Sequence, residues 1–180
     1  MSELLVDRDG PVRRLTLNRP AKANALNADL VEALLAEVEA ARTDGTRLLV
    51  LQGDGRNFCA GFDLTGYEEA SEGDLLLRFV RIEQLLQAVY HAPFATLALA
   101  HGRNLGAGAD LFLACDTRVA SPEATFRMPG LRFGLQLGTR RLARRIGGDG
   151  ARRILAESRI VGAEEALALG FAHRLAPPGA

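Results

Sequence analysis

The stretch "LLVLQGDGRNFCAGFDL", Leu48 to Leu64, runs from pure hydrocarbon into a loop of glycines and small side chains. Its first part, Leu48 to Gln52, reads as a strand apolar on both faces, which a sheet covered on both sides demands. The adjoining loop, "GRNFCAGFDL", leaves the backbone nearly bare, so something approaches it closely. "ATLALA", Ala95 to Ala100, repeats the pattern and runs into "HGRNLGAGADLFLACD", His101 to Asp116. The second glycine loop leads directly into a predicted helix, Gly108 to Ala114, and then a short strand, Thr117 to Ala120.

Elements alternate outward from these two loops. Turn residues Asp9 and Gly10 between "LLVD" and "VRRLTLN" predict a β-hairpin. After a loop around Pro20, Asn27 caps a helix reaching about Arg42, with Asp29 and Glu32 in its first turn. Leu30, Leu34, Val38 and Ala41 give it an apolar stripe. A second helix is expected over Asp74 to Val89, with Leu77, Val80, Leu85 and Val89 inward, ended before Pro93. "LGTRRLARRIGGDGARRILAES" predicts two short helices separated by Gly147, Gly148 and Gly150. "AEEALALG" predicts another, closed by Gly170, and "FAHRL" a last strand. Strands alternating with helices make an α/β fold. The chain reads as one domain over residues 1–180, with no linker or internal repeat.

Composition narrows the function. Twenty-two basic residues balance 22 acidic ones among 180, so no net field draws nucleic acid or an anionic membrane. No signal peptide is legible, and no apolar run reaches the ~18 residues of a spanning helix. Cys59 and Cys115 form no CxxC, and His91, His101 and His173 no ligand spacing, so no metal site is expected. The chain therefore fits a cytoplasmic protein with reduced thiols. There is no GxSxG, and neither glycine loop completes the dinucleotide pattern GxGxxG.

Small residues on two loops offer exposed peptide N–H groups. If the loops lie side by side, one amide from each can point at a single oxygen, an oxyanion hole. The alternative is that the glycines only permit tight strand-to-helix packing.

Four stretches, "NRPAKANALN", "GDGRNFCAGFDL", "HGRNLGAGADLFLACDTRVASPEATFRMP" and "AEEALALGFAHRL", occur in one order and spacing. Together they resemble the enoyl-CoA hydratase/isomerase (crotonase) family over about Val12 to Leu175. That resemblance implies a crotonase-like spiral of repeated ββα units. It implies an acyl-CoA thioester substrate, with coenzyme A as part of the substrate and no separate cofactor. It also implies a homotrimer or a pair of trimers. Its oxyanion donors fall on the amides of Phe62 and Ala107. Candidate contacts to the acyl-CoA are Lys22, Ala23, Ala25, Ala60, Asp63 and Leu64, with Gly106 and Gly130 beside the reacting end.

Two departures bear on the chemistry. Hydratases of the family use two glutamates around a water. Here the first position is Asp110, a carboxylate on a shorter arm, and the second is Gly130. The loop before the last helices is shortened to "GLQLGTRRL", and the chain ends at Ala180 without the family's helical C-terminal segment. The expected activity is hydratase-like with Asp110 as the remaining acid/base. The alternatives are a one-base isomerase or a catalytically weak acyl-thioester-binding protein. Bland roles are expected for Cys59 as a small hydrophobe, His101 and Asp116 as structural groups, and Arg140, Arg141, Arg144, Arg145, Arg152 and Arg153 as an outward cluster.

Overall fold

The computed structural model describes residues 2–135 and 137–177, so Gln136 of the shortened loop and the chain end at Ala180 lie outside the described residues. The hairpin forms as expected: β1 (Leu4–Asp9) pairs antiparallel with β2 (Val12–Leu17), Asp9 opposite Val12. A 3₁₀ turn at Pro20–Lys22 leads to α1 (Ala28–Ala40). Asn27 caps it, its side chain accepting from the Leu30 amide at 3.0 Å. Strand β3 (Leu48–Gly53) comes next, then α2 (Glu72–Tyr90), β4 (Ala95–Ala100), β5 (Arg103–Leu105) and α3 (Ala107–Ala114). After these lie β6 (Thr117–Ala120), β7 (Thr125–Arg127), α4 (Thr139–Ile146) and α5 (Gly148–Glu157). Strand β8 (Ile160–Gly162), α6 (Ala163–Leu169) and β9 (Arg174–Leu175) complete the described chain.

One sheet has the order β1-β2-β3-β4-β6-β9, parallel except for the hairpin, and a second has the order β5-β7-β8. After β4 and after β6 the chain leaves the large sheet, adds a short strand to the small one, and then turns into helix. This is the spiral of ββα units. Bridges Cys59–Asn104 and Leu26–Phe62 extend the small sheet toward the first glycine loop. The site therefore sits where the two layers meet.

Leu15, Leu17, Leu49 and Leu51 of the large sheet pack with Leu30 and Leu34 of α1 and Leu85 and Leu86 of α2, all essentially inaccessible. Burying each such side chain stabilises the fold by about 1.5–3 kcal/mol. Phe112 of α3 lies between Phe58 and Phe126, at centroid distances of 6.5 and 4.9 Å, and so ties α3 to both layers. Arg118 is the largest fully buried side chain. Its guanidinium donates to carbonyls of Cys115 and Phe171 at 2.9 and 2.6 Å and of Gly170 at 3.1 Å. A cation at the C-terminal ends of α3 and α6 suits both helix dipoles.

Three expectations need correction. Leu77 and Val80 are exposed at 58% and 43%; α2 turns Ile82, Leu85, Leu86 and Val89 inward instead. Only Gly147 separates α4 from α5, and Gly148 and Gly150 lie inside α5. Arg141 is not on the outside: it is buried and makes a bidentate bridge to Glu83 of α2 at 3.0 and 2.6 Å. The remaining arginines of the cluster keep at least partial exposure.

Candidate active site

The first glycine loop is held by Asn24, whose amide donates to the carbonyls of Asp54 and Asn57 at 2.8 and 2.7 Å. The Ala60 amide donates to Ala23 O, and the Asp63 amide to Leu26 O. At Gly61 the two loops touch. Gly61 has φ +83°, and a Cβ built there would overlap Leu105 O and stand 3.2 Å from the Ala107 nitrogen. Reciprocally, a Cβ on Gly108 would overlap Cys59 O. Each loop is bare partly because the other loop occupies the space.

The contact at Gly61 brings the next peptide, Phe62, beside the start of α3. Gly106, at φ +48°, turns the chain there, and Ala107 has no left-handed backbone, so its Cβ costs nothing. Among the described residues, neither the Phe62 nor the Ala107 amide donates to a protein acceptor. Phe62 is fixed from the other side by α2. Its ring stacks on Phe79 at 4.6 Å, with the Arg78 guanidinium 4.1 Å from the ring centroid, and Arg78 donates to Asp63 O at 2.5 Å.

Phe62 and Ala107 both line a cavity of about 750 Å³. Ala60, Leu64, Gly106, Asp110 and Gly130 line it too, so these sequence-predicted residues meet on one wall system. Lys22, Ala23, Ala25 and Asp63 do not line it. Lys22 stands outside with Nζ 3.4 Å from Thr65 Oγ1, next to the Leu64 rim. The Ala23 and Ala25 carbonyls are committed to Ala60 and Arg19. Asp63 is buried in an ion pair with Arg19 at 2.8 Å.

Asp110 follows Ala107 by three residues and points from α3 into the cavity, 5% exposed. Among the described residues its Oδ1 has no hydrogen-bond partner. Burial pushes its carboxyl up to about 7; the Arg141 guanidinium opposes this and the Glu83 carboxylate adds to it. Arg141 is already engaged by Glu83 and makes no hydrogen bond to Asp110. Gly138, before α4, presses on Asp110 so tightly that a Cβ there would overlap Oδ1. At Gly130 a Cβ would stand 2.7 Å from Leu135 O, because the Leu135 amide closes a turn back onto Gly130 O at 2.9 Å. The tight turn leaves no room for a side chain there.

The bland readings are consistent with the local contacts. Cys59 is buried and its thiol is pushed up to about 12, chiefly by burial. His101 Nε2 pairs with Gly55 O at 3.0 Å, and Asp116 accepts from the Thr96 amide and hydroxyl. Among the described residues no group of three His, Cys, Asp or Glu is placed to hold a metal, and no helix is long and apolar enough to cross a membrane. Sequence reading missed Gly138, Thr139, Met128 and Phe133 on the cavity wall, and the Glu83–Arg141 pair behind it. Only "GTRRL" carried a hint, since a glycine before a helix invites close approach.

The enoyl-CoA hydratase/isomerase family model matches residues 7–179. The 2,3-dehydroadipyl-CoA hydratase of Escherichia coli K12 is 37% identical over 184 residues, covering 98% of this chain and 70% of that protein. A solved Bordetella parapertussis protein assigned to the enoyl-CoA hydratase/isomerases superposes at TM-score 0.96 with 56% identity, covering 98% of this chain and 74% of that one. The enoyl-CoA hydratase structure of Mycobacterium smegmatis superposes at 0.93 with 33% identity, covering 99% and 71%. Fold, motif order and these matches agree: the chain is an enzyme belonging to the enoyl-CoA hydratase/isomerase (crotonase) family.

Proposed function

We propose that the cavity binds an enoyl thioester of coenzyme A and adds water across its double bond, with Asp110 as the only acid/base. The observation that supports this is the contact at Gly61, which brings together two lining residues with unengaged amides, Phe62 and Ala107, beside a buried carboxylate. The thioester oxygen accepts from Phe62 and Ala107, and charge collects there as the double bond is attacked. Preorganised donors of this kind contribute about 10²–10³ in rate each. A carboxyl titrating near 7 is matched to moving a proton at neutral pH.

Coenzyme A enters as part of the substrate, with Leu64 at the rim and Lys22 outside it as a partner for phosphate charge. The exposed apolar residues Leu76, Leu77 and Val80 on α2 support an assembly of the family's trimeric kind. Because a single carboxylate also suffices to move a proton along an enolate, isomerisation is the second reading, and Gly130 favours it. The test is turnover of crotonyl-CoA and longer enoyl-CoAs with products identified by mass spectrometry. A gain of one water supports hydration. An unchanged mass with a moved double bond supports isomerisation, and tight binding without turnover overturns both.

A further inference from the structure

The wall beyond the reacting end limits which acyl chain can follow the thioester. Three residues of α2, Leu75, Phe79 and Ile82, line the cavity from successive turns of one helix face, opposite the exposed Leu76, Leu77 and Val80. Phe79 stacks on Phe62, so this apolar stripe passes beside the peptide assigned to the thioester oxygen. Leu137 and Leu155 extend the apolar lining. At about 750 Å³ the cavity lies in the upper half of the range of about 300–1,000 Å³ for small-molecule sites, and a four-carbon acyl group leaves much of it unfilled. The charges on the wall are of one sign. Among the described residues the lining holds three carboxylic acids, Glu68, Glu69 and Asp110, and no lysine, arginine or histidine. Glu68 and Glu69 lie on the exposed loop that runs into α2, at the Leu75 end of the stripe. The arginines behind the wall are engaged elsewhere, Arg78 by Asp63 O and the Phe62 ring, Arg141 by Glu83. A carboxylate carried into this cavity gives up its water and meets no cation in return.

We propose that the cavity selects thioesters whose acyl chain is uncharged and longer than four carbons, laid along the α2 stripe, and that it excludes chains ending in a carboxylate. This rests on the acyl-CoA reading above and gives it a substrate class. Each methylene fully buried on the stripe adds about fourfold in affinity. A terminal carboxylate reverses that gain wherever the chain ends, because every charged group on the described wall is an acid. Leu75 is the specificity-determining residue: it stands one turn beyond Phe79, so a four-carbon chain held at Phe62 stops short of it and an eight-carbon chain covers it.

Saturated thioesters test this by titration calorimetry without any turnover. Octanoyl-CoA should bind at least about tenfold more tightly than butyryl-CoA. Suberyl-CoA, with the same eight carbons and a terminal carboxylate, should bind about 100-fold more weakly than octanoyl-CoA. Leu75→Ala should weaken octanoyl-CoA by about fivefold and leave butyryl-CoA unchanged, which also shows that the variant is folded. Equal affinity for the four- and eight-carbon chains overturns the proposal, and so does suberyl-CoA binding as tightly as octanoyl-CoA. A Leu75→Ala variant that weakens both uncharged chains alike, or neither, overturns the path along α2. If the cavity selects octanoyl-CoA as expected but no enoyl-CoA is turned over, the hydration reading falls and this one stands. If no acyl-CoA binds, both fall.

Discussion

Asp63 and Asp110 are the same residue, each 5% exposed, each on a glycine-containing stretch beside the cavity, yet their carboxyls are shifted in opposite directions. Burial raises both, but at Asp63 the Thr65 amide and hydroxyl and the Arg19 guanidinium together outweigh it and hold the carboxyl below its ordinary range. The Thr65 amide donates to Asp63 Oδ1 at 2.9 Å, and the ion pair spans 2.8 Å. At Asp110 the nearest cation, Arg141, is engaged by Glu83, so burial wins. Burial alone decides nothing about a carboxylate. The partners it is given decide whether it is a strut or a proton carrier.

Breaking the strut should have the largest effect. Asp63→Asn takes from the buried Arg19 the more enclosed of its two anions and leaves it only Glu3 at 3.0 Å, which costs about 3 kcal/mol in stability. Urea denaturation measures it. The Phe62 peptide is still held by the Asp63 amide on Leu26 and by Arg78 on Asp63 O, so turnover per folded molecule should stay near the parent's. A variant as stable as the parent would mean that the pair is no strut.

The second test reads the two carboxylates through pH. Asp110 goes from an ordinary value of 3.8 unfolded to about 7 folded, so its contribution is fully present below pH 4 and lost as pH rises to about 7. The loss is on the order of 4 kcal/mol at most. Asp63 works in the other direction: its lowered value adds stability above its unfolded pKa that disappears in acid. The difference between parent and Asp110→Asn isolates the first effect. That difference should grow between pH 4 and 7 in favour of the variant, and parallel curves would place Asp110 in water rather than in an apolar wall.

Much of this frame is legible in the sequence alone, and the reason is local. Asn27 announces a cap, the runs Leu48–Gln52 and Ala95–Ala100 announce buried strands, and Gly170 closes α6 with φ +83°. The small sheet is not legible, because "RNL", "TFR" and "IVG" are too short to show a period of two. Leu77 and Val80 obey helical spacing but face out, since spacing names a stripe and not what covers it. Arg141 reads as one of several surface arginines, whereas its partner Glu83 lies 58 residues away. Asp63 and Asp110 look alike for the same reason: one meets Arg19, the other a glycine, and those meetings are tertiary.

At the carrier, Asp110→Asn keeps shape and removes the proton. Turnover should fall by about 100-fold or more while acyl-CoA affinity holds. The parent's kcat/KM should decline as pH drops below about 7, where the base becomes protonated, and the asparagine variant should show no such limb. Unchanged turnover with intact binding would remove Asp110 from the proposed mechanism.

The smallest effect is expected at a third buried titratable group beside the site. Cys59 precedes Ala60, a residue of the cavity wall, and is fully buried. Its thiol is pushed up to about 12 by burial, which the Gly61 backbone and Arg19 only partly oppose. Unlike Asp110 it has a partner, its sulfur donating to Asn24 O at 3.2 Å, and unlike Asp63 it carries no charge to be lost. It therefore acts as a small apolar filler between the loop and α3, where Gly108 lies against it. Cys59→Ala should cost about 1 kcal/mol, the scale of a small trimmed core group, and leave kcat and KM at parental values. Iodoacetamide at neutral pH should not label the native protein at this position, because the thiolate is absent and the sulfur unreachable. Rapid labelling that abolishes turnover would show instead that the first glycine loop opens far enough to expose its interior, and the fixed geometry assigned to the Phe62 amide would fall with it.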